Sequence, residues 1–149
     1  MIVFEFEKLK LYQEARAFRM RVYKLAKLLP REEFKLRAQM RDAARSLTNC
    51  IAEGHGRYTY PDRIHFSRMA RGSLCELVDD VNLCKDEEYA KAEHLETLRE
   101  DAAALLKRTN GYLSYLEGEA AKSSGKAGAR KRGPTPPITN YQLPITGSD

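Results

Sequence analysis

The chain has 149 residues, with 26 Lys and Arg against 21 Asp and Glu and a formal net charge of +5. That length suits a single domain, and 42% hydrophobic with 32% charged residues describes a soluble globular chain. No long uncharged apolar run occurs, which excludes a membrane span, and three sparse cysteines argue against a disulfide scaffold and for a reducing cytoplasm. The opening Met1-Ile2-Val3-Phe4-Glu5 lacks the basic segment and apolar core of a secretion signal.

Apolar residues recur at helical spacing through most of the chain. Leu11, Ala15, Phe18, Val22, Leu25 and Leu29 form a heptad stripe that predicts a first helix, ended by Pro30. Leu36, Met40, Ala43, Leu47 and Cys50, widened by Ala44 and Ile51, predict a second. Gly54-His55-Gly56 reads as its stop, glycine being the usual residue past a helix end. Thr59-Tyr60-Pro61-Asp62 restarts the helical pattern, with Pro61 suited to a first turn and Asp62 to the helix dipole.

The third stripe reads Phe66, Ala70, Ser73, Leu77, Val81 and Cys84. The fourth is Leu95, Leu98, Ala102, Leu105, Thr109, Tyr112 and Leu116, continuing in phase through Asn110-Gly111, so that dipeptide is read as helix. Between them Lys85-Asp86-Glu87-Glu88 has neither glycine nor proline, and Asp86 is the expected N-cap of the fourth helix. Nothing alternates with period two long enough to make a strand. The expected fold is all-α, an up-down antiparallel four-helix bundle over residues 1–118. From 119 to 149 the composition turns to Ala, Ser, Gly, Lys, Arg and Pro, which predicts a disordered basic and proline-rich tail.

Charge is unevenly placed. Residues 1–71 carry 16 basic and 8 acidic side chains, and residues 72–118 carry 5 basic and 11 acidic. Such a split serves either to attract polyanions or to pair the segments with each other. Arg37, Arg41 and Arg45 are spaced by four along the second helix, and Arg57, Arg63, Arg68 and Arg71 follow, with Tyr58 and Tyr60 among them. Arginines give multidentate donors to phosphate and tyrosines stack on unpaired bases, so these seven are the candidate nucleic-acid contacts. A solvated or salt-bridged helix face is the alternative. Lys126, Arg130, Lys131 and Arg132 would add a non-specific electrostatic contribution.

Catalytic and metal chemistry finds little support. Cys75 and Cys84 are nine apart, on opposite faces of one helix, and no C-x-x-C occurs. A di-metal bundle site needs paired Glu-x-x-His motifs, and only Asp62-x-x-His65 is comparable. Gly54-His55-Gly56-Arg57 lacks the Lys-Ser/Thr of a P-loop. The chain is therefore expected to be non-enzymatic, without cofactor or metal.

Ile51-Ala52-Glu53-Gly54-His55-Gly56-Arg57 resembles the I-A-E-G-x-G-R signature of the four-helix-bundle proteins encoded in 23S rRNA intervening sequences. Phe6-Glu7-Lys8-Leu9 with Tyr12, the segment Gln39–Ala44, the stretch from Phe66 to Leu77, and Asn110-Gly111 with Leu113 and Leu116 are similar to the family's other conserved stretches. The resemblance covers roughly residues 4–117. It departs at Ser46-Leu47-Thr48-Asn49-Cys50, where the family often has Ser-Ile-Pro-x-Asn, and at Glu88, where a glycine is usual.

The resemblance implies a homopentameric ring without catalytic activity, and kinship with the nucleic-acid-binding accessory proteins of diversity-generating retroelements. Glu53 and Arg57 of the signature then serve as a helix cap or an intersubunit contact. The expected function is an oligomeric nucleic-acid-binding protein, with RNA favoured and DNA as an alternative ligand. The alternative function is an adaptor that docks a reverse transcriptase.

Overall fold

The computed structural model describes residues 1–127. A 3-10 turn, Glu5–Lys8, leads into α1 (Lys10–Leu28), α2 (Phe34–Gly56), α3 (Tyr60–Asp86) and α4 (Ala92–Ala127). Each helix packs on its neighbours in sequence, α4 returns against α1, and the diagonal backbones stay further apart across the shared core. This is an up-down four-helix fold, with no strand among the described residues.

The stripes expected for α1 and α2 are buried in full, from Leu11 to Leu29 and from Leu36 to Ile51. α4 follows its expected stripe too, except that Tyr112 is half-buried and Leu113 takes the inward position. Thr109 stays inside because its hydroxyl donates to the Leu105 carbonyl at 2.8 Å. α3 departs at its start. Ala70, Leu77, Val81 and Cys84 are buried as expected, but Ile64, Ser67 and Leu74 take inward positions while Phe66 and Ser73 are only half-buried, so two positions of the expected stripe are one residue out. The sequence misleads there because the inward position 67 is a serine and the bulky Phe66 flanks the core. A second, smaller apolar cluster of Ile64, Leu113 and Leu116 closes the α2–α3 end of the bundle.

The helix ends have separate causes. α1 stops before Pro30, and its last carbonyls are capped from the next helix. Arg37 donates to the carbonyls of Ala26 at 3.1 Å, Leu29 at 2.9 Å and Pro30 at 2.9 Å. α2 runs through both glycines to Gly56, neither of which has positive φ, so the expected glycine stop is replaced by an extended Arg57. Thr59 caps α3, its hydroxyl accepting the Asp62 N–H at 3.3 Å.

Asp86 is the last residue of α3 rather than the N-cap of α4. Glu88 adopts φ 57, the left-handed conformation that glycine usually takes after a helix. Its N–H donates to the Lys85 carbonyl and the Tyr89 N–H to the Cys84 carbonyl at 2.9 Å, the paired bonds of a Schellman motif. Tyr89 then packs on the core. α4 continues nine residues beyond the boundary expected at 118, because Ala, Glu and Lys sustain helix without an apolar stripe and Ala120 still packs on the smaller cluster. Residues 128–149, including Arg130, Lys131 and Arg132 and most of the expected tail, lie outside the described residues.

Glu88 holds its left-handed turn at a cost glycine would not incur. Glu88→Gly is expected to stabilise the bundle by about 0.5–1 kcal/mol, read as a rise of a few degrees in melting temperature by circular dichroism.

Candidate nucleic-acid interface

The signature residues build the corner between α2 and α3. Gly54 is buried against α3, and a Cβ placed on it would lie 2.9 Å from the Phe66 Cβ. Arg57 pairs with Glu53 one turn back at 2.6 Å and lays its guanidinium over the Phe66 ring, 4.7 Å from the centroid. The Arg57 carbonyl accepts the Arg63 Nε–H at 2.7 Å, and the Arg63 guanidinium lies 5.8 Å from the Tyr60 ring. Ile51 is in the core and Ala52 half-buried, whereas Gly56 has open space around it. Within the chain, Glu53 and Arg57 are partners of each other.

The seven candidate arginines therefore divide. Arg37 is committed to the end of α1, and Arg57 and Arg63 to the corner. Arg68 pairs with Glu117 at 3.3 Å and Arg71 donates to the Asn110 side chain at 2.8 Å, tying α3 to α4. Arg41 and Arg45 remain, exposed and one turn apart on α2, with no ion pair among the described residues.

They are joined by residues of α1 that the sequence reading passed over. Arg41 stacks on Tyr23, its guanidinium 4.2 Å from the ring centroid. Arg19 donates to the Thr48 hydroxyl at 2.9 Å, and Thr48 in turn donates to the Arg45 carbonyl at 3.1 Å. Arg16, Arg19 and Tyr23 recur at i, i+3 and i+7 and so share one face of α1, with Arg16 exposed. That spacing was the available signal. The result is a seam along α1 and α2 carrying Arg16, Arg19, Arg41 and Arg45 around one tyrosine, suited chemically to phosphate oxygens and a stacked base.

On the other flank, towards α4, two arginines are taken up in ion pairs. Arg21 pairs with Asp101, and Arg108 with Glu14 at 2.6 Å, so α1 and α4 are joined by ion pairs. The basic and acidic segments do pair with each other there, while the α1–α2 seam has no such counterpart.

The remaining titratable groups are structural. Burial pushes the Cys84 thiol up to about 11, with Asp80 and Glu33 adding to the effect, so it stays protonated. Glu33 accepts the Tyr89 hydroxyl at 2.7 Å, which raises that phenol to about 12. Burial, then Glu76 and Asp79, lift the Asp80 carboxyl from 3.8 to about 6, and its Oδ2 is buried without a partner. Cys50 Sγ sits 3.8 Å from the Ser46 hydroxyl, which accepts from Ser73 at 2.9 Å, so a serine pair bridges α2 and α3 beside it. Among the described residues no group of three or more His, Cys, Asp or Glu is placed to hold a metal ion. Among the described residues no helix is long and apolar enough to cross a membrane.

A small up-down helical bundle with a fixed α2–α3 corner and one unpaired arginine seam is the class these observations define. The family described as 23S rRNA-intervening sequence protein matches residues 7–111, and the chain belongs to it. Comparison with curated proteins returned no match.

Two outcomes follow from this geometry. Gly54→Ala forces a methyl against Phe66 and is expected to cost about 1–3 kcal/mol, whereas Gly56→Ala is expected to be neutral or slightly stabilising; urea denaturation separates them. Because the Asp80 carboxyl ionises less readily folded than unfolded, its contribution is full below pH 4 and is lost as pH rises towards about 6. Asp80→Asn should flatten that decline and raise stability at pH 7 by about 1–2 kcal/mol, measured as denaturation midpoints across pH.

Proposed function

We propose that this chain is a non-enzymatic, oligomeric nucleic-acid-binding protein of the cytoplasm, with RNA its preferred ligand, and that the α1–α2 seam is the contact surface. The observation that carries the reading is Arg41 stacked on Tyr23 beside Arg45, Arg19 and Arg16 on one face, three of the four exposed and without ion pairs among the described residues. The guanidinium groups of Arg41, held by stacking, and Arg19, held by its bond to Thr48, lose little side-chain freedom when phosphate arrives. Tyr23 adds a π-face for an unpaired base, which favours RNA loops over duplex DNA. The exposed free thiol of Cys75 suits a reducing compartment. Family membership supports an association with RNA, and the resemblance supports a ring of five copies, which would repeat the seam in one particle.

The test is fluorescence anisotropy with a structured RNA and a matched duplex DNA across a salt series. Binding should weaken steeply with salt, and Arg41→Glu with Arg45→Glu should cut affinity at least tenfold and lower the salt slope by about two, helicity being unchanged. Arg68→Gln with Arg71→Gln should change affinity little, since those side chains already bond α4. Undiminished affinity in the Arg41/Arg45 variant would sink the seam as the contact surface. Flat anisotropy at low salt with folded protein would favour the adaptor role, in which a reverse transcriptase is docked instead.

A further inference from the structure

The arginine seam runs on into a row of aromatic rings. Tyr12, Arg16, Arg19 and Tyr23 recur at i, i+4, i+7 and i+11, so one face of α1 carries a tyrosine at each end and two arginines between them. Tyr23 holds Arg41 at one end. At the other, the Phe6 ring meets Tyr12 edge-on at 4.9 Å, and the Phe4 and Phe6 rings stack at 6.1 Å, 17° from parallel. The 3-10 turn that begins beside Phe4 and carries Phe6 packs on α1 and α2 and not on α4. The rings therefore lie across the far end of the same seam.

Phe4 gains little from the fold itself. Phe6 is half-buried, whereas Phe4 packs on it and is still 61% exposed. Its backbone is fixed all the same, because the Phe4 N–H donates to the Glu7 carboxylate at 2.7 Å. A ring held in place and open to solvent is a stacking platform for an unpaired base. The carboxylates beside it are engaged, Glu7 with that N–H and Glu5 with Lys8 at 2.6 Å, so this end offers stacking and the arginines between offer charge.

We propose that seam and rings form one track for a single strand of RNA, with its phosphates on the arginines, one base on the Tyr23–Arg41 stack and a second on Phe4. The inference rests on the proposed function and deepens it, naming the ligand as a single strand and Phe4 as a second stacking position. Tyr12 lies about 17 Å from Tyr23 along α1 at 1.5 Å per residue, and Phe6 and Phe4 carry the track further. A stacked strand rising about 3.4 Å per nucleotide covers that distance with about five to eight nucleotides. A duplex, with its bases paired and stacked on one another, offers neither ring an open face.

Fluorescence anisotropy of the full chain with end-labelled oligoadenylates of three and eight nucleotides tests it. The octanucleotide should bind at least tenfold more tightly, since the trinucleotide spans about 10 Å and reaches one stacking position only. Phe4→Ala should weaken octanucleotide binding about tenfold, change trinucleotide binding at most twofold, and leave the salt slope unaltered, because the ring meets no phosphate. Phe4→Trp should restore the affinity, and Tyr115→Ala, 58% exposed on α4, should alter neither oligonucleotide. Of two octanucleotides made abasic at the 5′ or the 3′ end, one should bind the unaltered chain as weakly as the intact strand binds the Phe4→Ala variant, and that substitution should then cost nothing more.

Undiminished octanucleotide affinity in the Phe4→Ala variant overturns the second stacking position and leaves the seam standing. An equal loss on both lengths, or a changed salt slope, shows that Phe4 acts through the shape of the turn and overturns it too. If the folded, unaltered chain binds neither oligonucleotide at low salt, the seam reading falls together with this one.

Discussion

The close crossing of α2 and α3 at Gly54 is the constraint on which the rest of the bundle depends. With the Phe66 Cβ only 2.9 Å from where a Gly54 side chain would begin, the two helices meet nearly backbone to side chain. Arg57 then lies over the Phe66 ring and pairs with Glu53, and its carbonyl holds Arg63, so the turn is fixed by side chains from both helices. The direction of α3 sets the place of α4, since α4 touches α3 along its length and closes the smaller cluster around Ile64. A signature that reads as a glycine-rich loop is thus a packing device, and neither glycine uses positive φ.

Charge distribution follows from the same arrangement. Antiparallel packing brings α4 against both α1 and α3, and surface ion pairs join them: Arg21 of α1 with Asp101, Arg108 of α4 with Glu14 of α1, and Arg68 of α3 with Glu117. Each such pair is worth well under about 1 kcal/mol, so their effect is to occupy arginines more than to stabilise. α1 and α2 both carry net positive charge, and Arg16, Arg19, Arg41 and Arg45 between them are in no ion pair among the described residues. Their arginines are managed by stacking on Tyr23 and by the Thr48 hydroxyl, which leave the charge itself uncompensated. Excess positive potential on this flank is a consequence of helix order.

Much of the fold was legible because apolar side chains mark the inward face of α1 and α2, with Thr48 and Gly54 the buried exceptions. It failed where burial is decided by something other than hydrophobicity. Ser67 is inside although polar, and Phe66 sits half-buried at the edge under the Arg57 guanidinium, so the expected α3 stripe missed its inward positions at 67 and 74 while Ala70 held. The α3–α4 boundary was hidden because Glu88 occupies a left-handed position without being glycine. Of the site, Arg41 and Arg45 were visible as a ridge. Which other arginines were already bonded depended on partners up to 49 positions away, as with Arg68 and Glu117, and no local spacing encodes that. Arg16, Arg19 and Tyr23 carried a readable spacing, but their meaning came only from the neighbouring helix.

The two flanks of α1 are chemically opposite, and under the proposed function this bears on how assembly and binding would coexist. Arg19 and Tyr23 contact α2, whereas Arg21, Leu25 and Leu28 face α4 and line an apolar groove. Copies joined on the α4 flank would cover leucines and leave the arginine seam open, so weak phosphate contacts on single copies would combine by effective concentration instead of competing with assembly for the same residues. An interface built from the seam itself would bring like charges together and lose the surface at the same stroke. The separation of apolar and cationic faces on one helix would permit both.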